Sequence, residues 1–147
     1  MPGMYQLGIY IRVMMLSIGV LFCYDRSTMH NLSLGKFGED EVVEYLKKKG
    51  YRIVERNFKA RYDEIDIIAL DHNTLVFVEV KTRIGDAYGL PEESITKRKL
   101  HSLTRAAYYY QHLHPELSTA LRIDAITVYF SPDEKIEKIN HYENITG

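Results

Sequence analysis

The sequence predicts an α/β protein of one folding unit, a mixed β-sheet flanked by helices in the order α-β-β-β-α-β-β. Three observations carry this. The 147-residue chain has the length of one ordinary domain, and its 46% hydrophobic and 27% charged residues suit a soluble globular protein with a real core. Two segments repeat apolar residues at helical spacing, and five short apolar runs, the last of them weaker, lie between turn-forming residues. From Leu32 onward no internal repeat, low-complexity tract or linker divides the chain.

The elements follow in order. Leu34, Gly38, Val42, Tyr45 and Leu46 recur at helical spacing, the basic run Lys47 to Lys49 suits a helix C-terminus, and Gly50 ends it, which predicts a helix over Leu34–Lys49. "YRIVERNF" and "EIDIIAL" then read as strands, "DHNT" as a turn, "LVFVEVKT" as a third strand and "GDAYGLP" as a loop marked by Gly and Pro. Leu100, Leu103, Ala107 and Tyr110 form the stripe of a second helix, which "HLHPEL" closes at Pro115. "LRIDAITVYF" is a fourth strand, "SPDE" a turn, and the segment near Ile136–Tyr142 a weaker fifth strand. A three-stranded meander followed by a helical crossover must bring the fourth strand back parallel to the third.

Residues 1–28 are unlike the remainder. Leu7 to Tyr24 is apolar apart from Arg12, with its longest run from Val13 to Tyr24. That run is short of the ~20 residues that span a bilayer as a helix, and no small-x-small cleavage site follows it. Met29 precedes the onset of globular patterning, so the segment reads as the product of an upstream start codon, with a membrane anchor or an extra packed segment as the other readings. The domain proper is expected over 29–147. The single cysteine, Cys23, excludes an intramolecular disulfide framework and a cysteine-rich zinc site, which suits a reducing, cytoplasmic setting. A net charge of -1 supplies no global field for nucleic acid or an anionic membrane, so such binding requires a local patch.

The second and third strands carry the chemistry. A hairpin centred on His72 and Asn73 sets Asp66 opposite Glu79, and Glu64 opposite Lys81. Opposed β-carbons stand ~4.5–5.5 Å apart, so two facing carboxylates repel unless a cation lies between them. Oxygen-only ligation suits magnesium or manganese, which commonly take one or two carboxylates and keep several waters. The period of two along a strand puts Lys81 on the face of Glu79. A metal that activates water, beside a lysine that orients it or stabilises charge on a phosphate, meets the needs of phosphodiester hydrolysis. The bland reading is a solvated acid and an ordinary Glu64–Lys81 cross-strand pair. Against it stands the near-continuous apolar run "LVFVEVK", a central-strand signature in which an isolated buried carboxylate would be costly.

At these residues the sequence resembles a known family. Asp66 followed by Glu79-Val80-Lys81 has the spacing of the D-(E)xK core of restriction-endonuclease-like nucleases. The wider run "GKFGEDEVVEYLKKKGYRIVERNFKARYDEIDIIALDHNTLVFVEVKTR", with "YGLPEESITKRKL", "LRIDAITVYF" and "INHYENI", resembles the YraN family, described as Holliday-junction-resolvase-like predicted endonucleases. The resemblance covers about Leu32 to Gly147 and leaves residues 1–28 outside. It implies a restriction-endonuclease-like fold, a divalent-metal nuclease site acting on DNA, Asp66 and Glu79 as metal ligands, Lys81 as the catalytic lysine and Glu39 as a further acidic member. One departure is visible: Asp63 stands where the family usually has glycine before Glu-Ile-Asp.

Other residues are weighed beside this core. Glu39 lies at the flank of the apolar face of the first helix, where it is either an ordinary surface acid or a carboxylate reaching toward the sheet. Lys99 aligns with Leu103, Ala106 and Tyr110 and should face the sheet, either covering apolar surface with its stem or serving as a second cation at the phosphate. Arg83, Lys97, Arg98, Lys99 and Arg105, with Lys81, form the local basic concentration that could hold a nucleic-acid backbone. Tyr108 and Tyr109 read as interface or partly buried residues ahead of base-stacking platforms, and His112 and His114 as solvated. Asp124 is either a distal member of the site or a partner for Arg122. A symmetric homodimer is admitted by the resemblance to resolvases, and no helical seam establishes one. Two functional classes result: a metal-dependent endonuclease, and a nucleic-acid-binding module of the same fold without turnover.

Overall fold

Helix α1 spans Leu32–Lys48, beginning two residues before the periodic stripe predicts. It ends as the sequence requires: Gly50 takes φ +92°, the Tyr51 N–H reaches the Leu46 carbonyl at 3.0 Å and the Gly50 N–H reaches Lys47 at 2.9 Å, the paired bonds of a glycine C-terminal cap. The computed structural model describes residues 32–61, 63–84, 95–117 and 120–146. Residues 1–28 and the "GDAYGLP" segment lie outside them.

Strands β1 (Arg52–Ala60), β2 (Asp63–Asp71) and β3 (Thr74–Ile84) form the expected antiparallel meander, helix α2 spans Lys97–Leu113, and β4 (Leu121–Phe130) and β5 (Ile136–Tyr142) complete the chain. The sheet order is β1-β2-β3-β4-β5, with β3 and β4 parallel and every other neighbour antiparallel. Parallel pairing across α2 is what a helical crossover produces. The α-β-β-β-α-β-β order and the mixed sheet are therefore as the sequence predicts.

The two helices cover opposite faces. On one, Val42, Val43 and Leu46 of α1 pack with Ile67, Val76, Val78, Ile126 and Val128. On the other, Leu103, Ala106, Ala107 and Tyr110 of α2 pack with Ile68, Leu75, Phe77 and Ile123. Burying both faces explains why "LVFVEV" is nearly unbroken in its apolar character. Tyr110 anchors the α2 side, edge-on to Phe58 and Phe77 with centroids 4.8 and 5.9 Å away.

Leu103, Ala106, Ala107 and Tyr110 are buried in the α2 stripe as expected, whereas Leu100, on the flank of that stripe, is only partly covered. Tyr108 and Tyr109 are exposed, at 59% and 48%, because the packing of Tyr110 turns its two predecessors outward. Among the described residues no helix is long and apolar enough to cross a membrane.

Candidate functional site

The β2–β3 hairpin has the register the sequence predicts, with Asp71 opposite Thr74 and successive pairs out to Ile67 and Val78. One step further the same register sets Asp66 opposite Glu79, and there the ladder stops. The Val80 N–H donates instead to the Asp66 carboxylate, with Oδ2 at 2.6 Å. A side chain has replaced the neighbouring strand as acceptor. Glu64 therefore does not pair with Lys81 as expected; its backbone partner is Lys59 on β1. Beyond Val78 on the hairpin side, β3 continues only with β4, in unbroken register from Leu75–Leu121 to Ile84–Phe130.

That unbroken register decides the faces. Val76 and Val78 pack toward α1 and Phe77 toward α2, so strand alternation turns Glu79, Lys81 and Arg83 to the α2 side. Glu79 is buried, with 7% of its side chain exposed. Lys99, in the first turn of α2, brings its Nζ to 3.0 Å from Glu79 Oε2. The contact is an ion pair outside hydrogen-bonding geometry, since Oε2 has no hydrogen-bond partner among the described residues. Burial, and then the charge of Glu79, push the Asp66 carboxyl up to about 7; the Val80 N–H and the Lys99 ammonium pull the other way without prevailing. Two acids thus share a poorly hydrated space, with one ammonium paired to Glu79.

Glu39 approaches from α1. Gly38 makes this possible: a β-carbon there would collide with Thr82 Oγ1 on β3, so the helix runs directly against the strand. Glu39 accepts a hydrogen bond from Asn57 Nδ2 at 2.9 Å, with Arg56 at 3.8 Å, and its charge adds to the upward push on Asp66. Asn57, which no sequence motif singles out, thereby holds the Glu39 carboxylate in place. It stands in β1 between the Arg56–Ile67 and Phe58–Ile65 pairs with φ 52°, a backbone state Asn tolerates better than most residues. Asparagine inside an otherwise ordinary strand was the available signal.

The basic residues divide. Lys99 lies in the site itself. Lys97 and Arg98 are exposed and Arg83 is partly buried. Arg105 is engaged: its Nε and Nη2 donate to Asp63 Oδ2 at 2.9 and 2.6 Å. Asp63 thereby ties β2 to α2. Its burial is outweighed by hydrogen bonds from Arg105 and Ser102, which hold the carboxyl below its ordinary value.

Asp124 belongs elsewhere. Fully buried toward α1, it accepts from Arg122 Nε at 2.9 Å, Arg122 Nη2 at 3.1 Å, His141 Nε2 at 2.8 Å and the Asn144 N–H at 2.9 Å. Those bonds fill both oxygens, and they place Asp124 as a partner of Arg122 in a structural network. His114 pairs with Glu116 at 3.2 Å and stacks on Tyr110, and His112 is exposed.

A divalent cation can be tested against this arrangement. No group of three or more His, Cys, Asp or Glu side chains among the described residues is gathered as a metal cage. Asp66 and Glu79 nevertheless supply an oxygen-only pair with a buried, unbonded Oε2, which fits a hard cation that retains most of its water.

Comparison with known proteins bears on the same stretch. A family model described as uncharacterised protein family UPF0102 matches residues 38–128, a span that holds Glu39, Asp66, Glu79, Lys81 and Lys99. A UPF0102 protein of Caldicellulosiruptor saccharolyticus is 41% identical over 116 residues, 79% of this chain and 98% of that protein. One of Persephonella marina is 46% identical over 94 residues, 64% of this chain and 81% of that protein. Among solved structures, SfsA of Pyrococcus furiosus in complex with Ca2+ is matched at 14% identity and a TM-score of 0.27, over 84% of this chain and 65% of that one; at that score the likeness carries no argument. On the family model and the extent of these matches, the chain belongs to the uncharacterised protein family UPF0102, the YraN family.

Proposed function

We propose that this protein is a divalent-metal-dependent nuclease that hydrolyses DNA phosphodiester bonds, with Asp66 and Glu79 as metal ligands. The observation that carries the reading is the pair itself: two acids at the point where β2 and β3 part, one buried against Lys99 with an oxygen outside hydrogen-bonding geometry, the other held above its ordinary pKa by burial and by its neighbour. Structural acids are normally satisfied by donors, as Asp124 is.

When bound, magnesium or manganese would supply Lewis-acid polarisation of the phosphate and a more acidic water. The chain's own residues do the remainder. Asp66, fixed by the Val80 N–H, and Glu79, on a strand covered on both faces, stand opposite each other where the β2–β3 ladder ends. Lys81 stands two residues along the face of Glu79, where its ammonium orients a water or stabilises charge developing on the phosphate. Glu39, steadied by Asn57, adds negative charge at the site from α1. Lys97 and Arg98 are exposed in the first turn of α2, and their charge would serve to hold a DNA backbone.

Cleavage assays on single-stranded, flapped and four-way DNA, with magnesium or manganese and with Lys81→Ala as control, test the reading. Metal-dependent cutting that Lys81→Ala reduces at least about a hundredfold is expected. No metal-dependent cut on any of these substrates removes it. One observation favours the rival, a module that binds nucleic acid without turnover: both carboxylates already have partners within the chain, Asp66 on Val80 and Glu79 against Lys99. DNA binding that survives in EDTA and is never followed by cleavage is what that module would show.

A further inference from the structure

The ion pair between Lys99 and Glu79 is asymmetric. The carboxylate is 7% exposed and the ammonium 38% exposed, so the acid is locked in the sheet while the lysine stands at the border with water. The backbone of Lys99 is anchored, its N–H donating to Thr96 Oγ1 at 3.2 Å as part of the N-terminal cap of α2. Its side chain can therefore swing out without disturbing the helix. The contact is also only half made, since Glu79 Oε2 lies 3.0 Å from Nζ and yet lacks a hydrogen bond. Lys97, Arg98 and Lys99 together put three cations in the first turn of α2, with no acid there. A helix N-terminus disfavours cations, so this run weakens the helix and calls for an outside anion. Within the chain, Glu79 is that anion for Lys99.

Resting on the metal-site reading above, we propose that Lys99 is a built-in counter-ion that exchanges with the divalent cation: it neutralises the Asp66–Glu79 pair in the metal-free protein and leaves Glu79 when metal binds. A cation arriving between the two acids meets the ammonium at the oxygen it needs, and like charges cannot share that oxygen. The free lysine then joins Lys97 and Arg98 at the end of α2, so metal binding and the readiness of that end for a phosphate are coupled through one side chain. Lys99 is in this sense a positioning residue whose effect runs through Glu79.

Thermal unfolding and manganese titration of the full chain test the exchange. Lys99→Met should lower Tm in EDTA, because a buried carboxylate loses the cation paired with it, and should tighten manganese binding by roughly three- to tenfold, because the competitor is gone. Lys99→Arg should keep the metal-free Tm near wild type. In the Glu79→Gln/Lys99→Met double variant most of the Tm loss should disappear, since no charge is left uncompensated. Manganese affinity in Lys99→Met that is unchanged or weaker, while the metal response still depends on Asp66, overturns the exchange and leaves the metal site standing. Additive Tm losses in the double variant also overturn it. No metal response in wild type or Lys99→Met overturns both the exchange and the metal site.

Discussion

The Asp66 carboxylate accepts a hydrogen bond from the Val80 N–H at 2.6 Å, replacing the strand-to-strand bond that the β2–β3 ladder would otherwise supply. One side chain thus ends the ladder and sits beside Glu79, the buried acid that precedes Val80. The site is opened by the same residue that would bind the metal.

Magnesium or manganese is expected to raise Tm, and Asp66→Ala or Glu79→Ala to abolish that response. A cation that offsets the repulsion between the two acids stabilises the folded state by mass action. Differential scanning fluorimetry across a metal titration measures it. An equal rise in wild type and both variants would assign the effect to some other site.

The metal-free protein should lose stability as pH rises from about 4 to about 7. The Asp66 carboxyl is raised in the folded state, so the folded protein binds more protons than the unfolded chain across that window. The contribution is intact below the unfolded carboxyl value near 3.8 and declines through the folded value of about 7. A single group gives a slope of at most about 1.4 kcal/mol per pH unit. Urea denaturation in EDTA at several pH values reads this, and Asp66→Asn should flatten that part of the profile.

Gly38→Ala should destabilise the fold by about 1 kcal/mol, because the clash with Thr82 Oγ1 exceeds the gain in helix propensity. Adding Thr82→Ala removes the obstructing oxygen and should restore stability to wild type or above. If Gly38→Ala alone is stabilising, the contact between α1 and β3 is looser than the structure has it. Chemical denaturation of the three proteins decides between these.

Asp124→Asn should cost about 3 kcal/mol or more, measured by denaturation, because Arg122 and His141 would keep their places around a group that no longer carries charge. Burial alone would raise the Asp124 carboxyl, but the bonds from His141, the Asn144 N–H and Arg122 outweigh it and hold it below its ordinary value. Its contribution is therefore present above the unfolded value near 3.8 and lost as pH falls through the lower folded value, the opposite sign to Asp66. His141 bridges two charges, its Nε2 at 2.8 Å from the acceptor-only Asp124 carboxylate and its Nδ1 at 3.2 Å from the Lys49 ammonium.

Much of this was legible before any coordinates. Periodicity and turn residues marked each element to within a few residues, and the "DHNT" turn was enough to oppose Asp66 and Glu79, since hairpin register follows from the turn. The resemblance carried by "GxxGE", "EIDIIAL" and "VEVKT" pointed to the family that the comparisons show over residues 38–128. Other features were not legible because they depend on which groups meet across the sequence. Nothing local told that Asp66 would take the Val80 N–H, that Lys99 would reach Glu79, that Arg105 would be held by Asp63, or that Asn57 would steady Glu39. The pairing of Glu64 with Lys81 was expected from register and fails for the same reason: a side chain ended the ladder first.

The sequence by itself determined the elements, their order, the hairpin register and the positions of the acids and lysines, because period, turn chemistry and strand alternation are local properties of the chain. Only the tertiary structure decided which charges are neighbours. Lys99 stands twenty residues after Glu79 and Asp124 seventeen before His141, and their meetings depend on the parallel return of β4 across α2 and on how deeply each strand is buried. Both acids are buried, and the donors that the fold brings to each then set whether it is satisfied, as Asp124 is, or left with an oxygen outside hydrogen-bonding geometry, as Glu79 is. In a low-dielectric interior that difference separates a structural network from a candidate site.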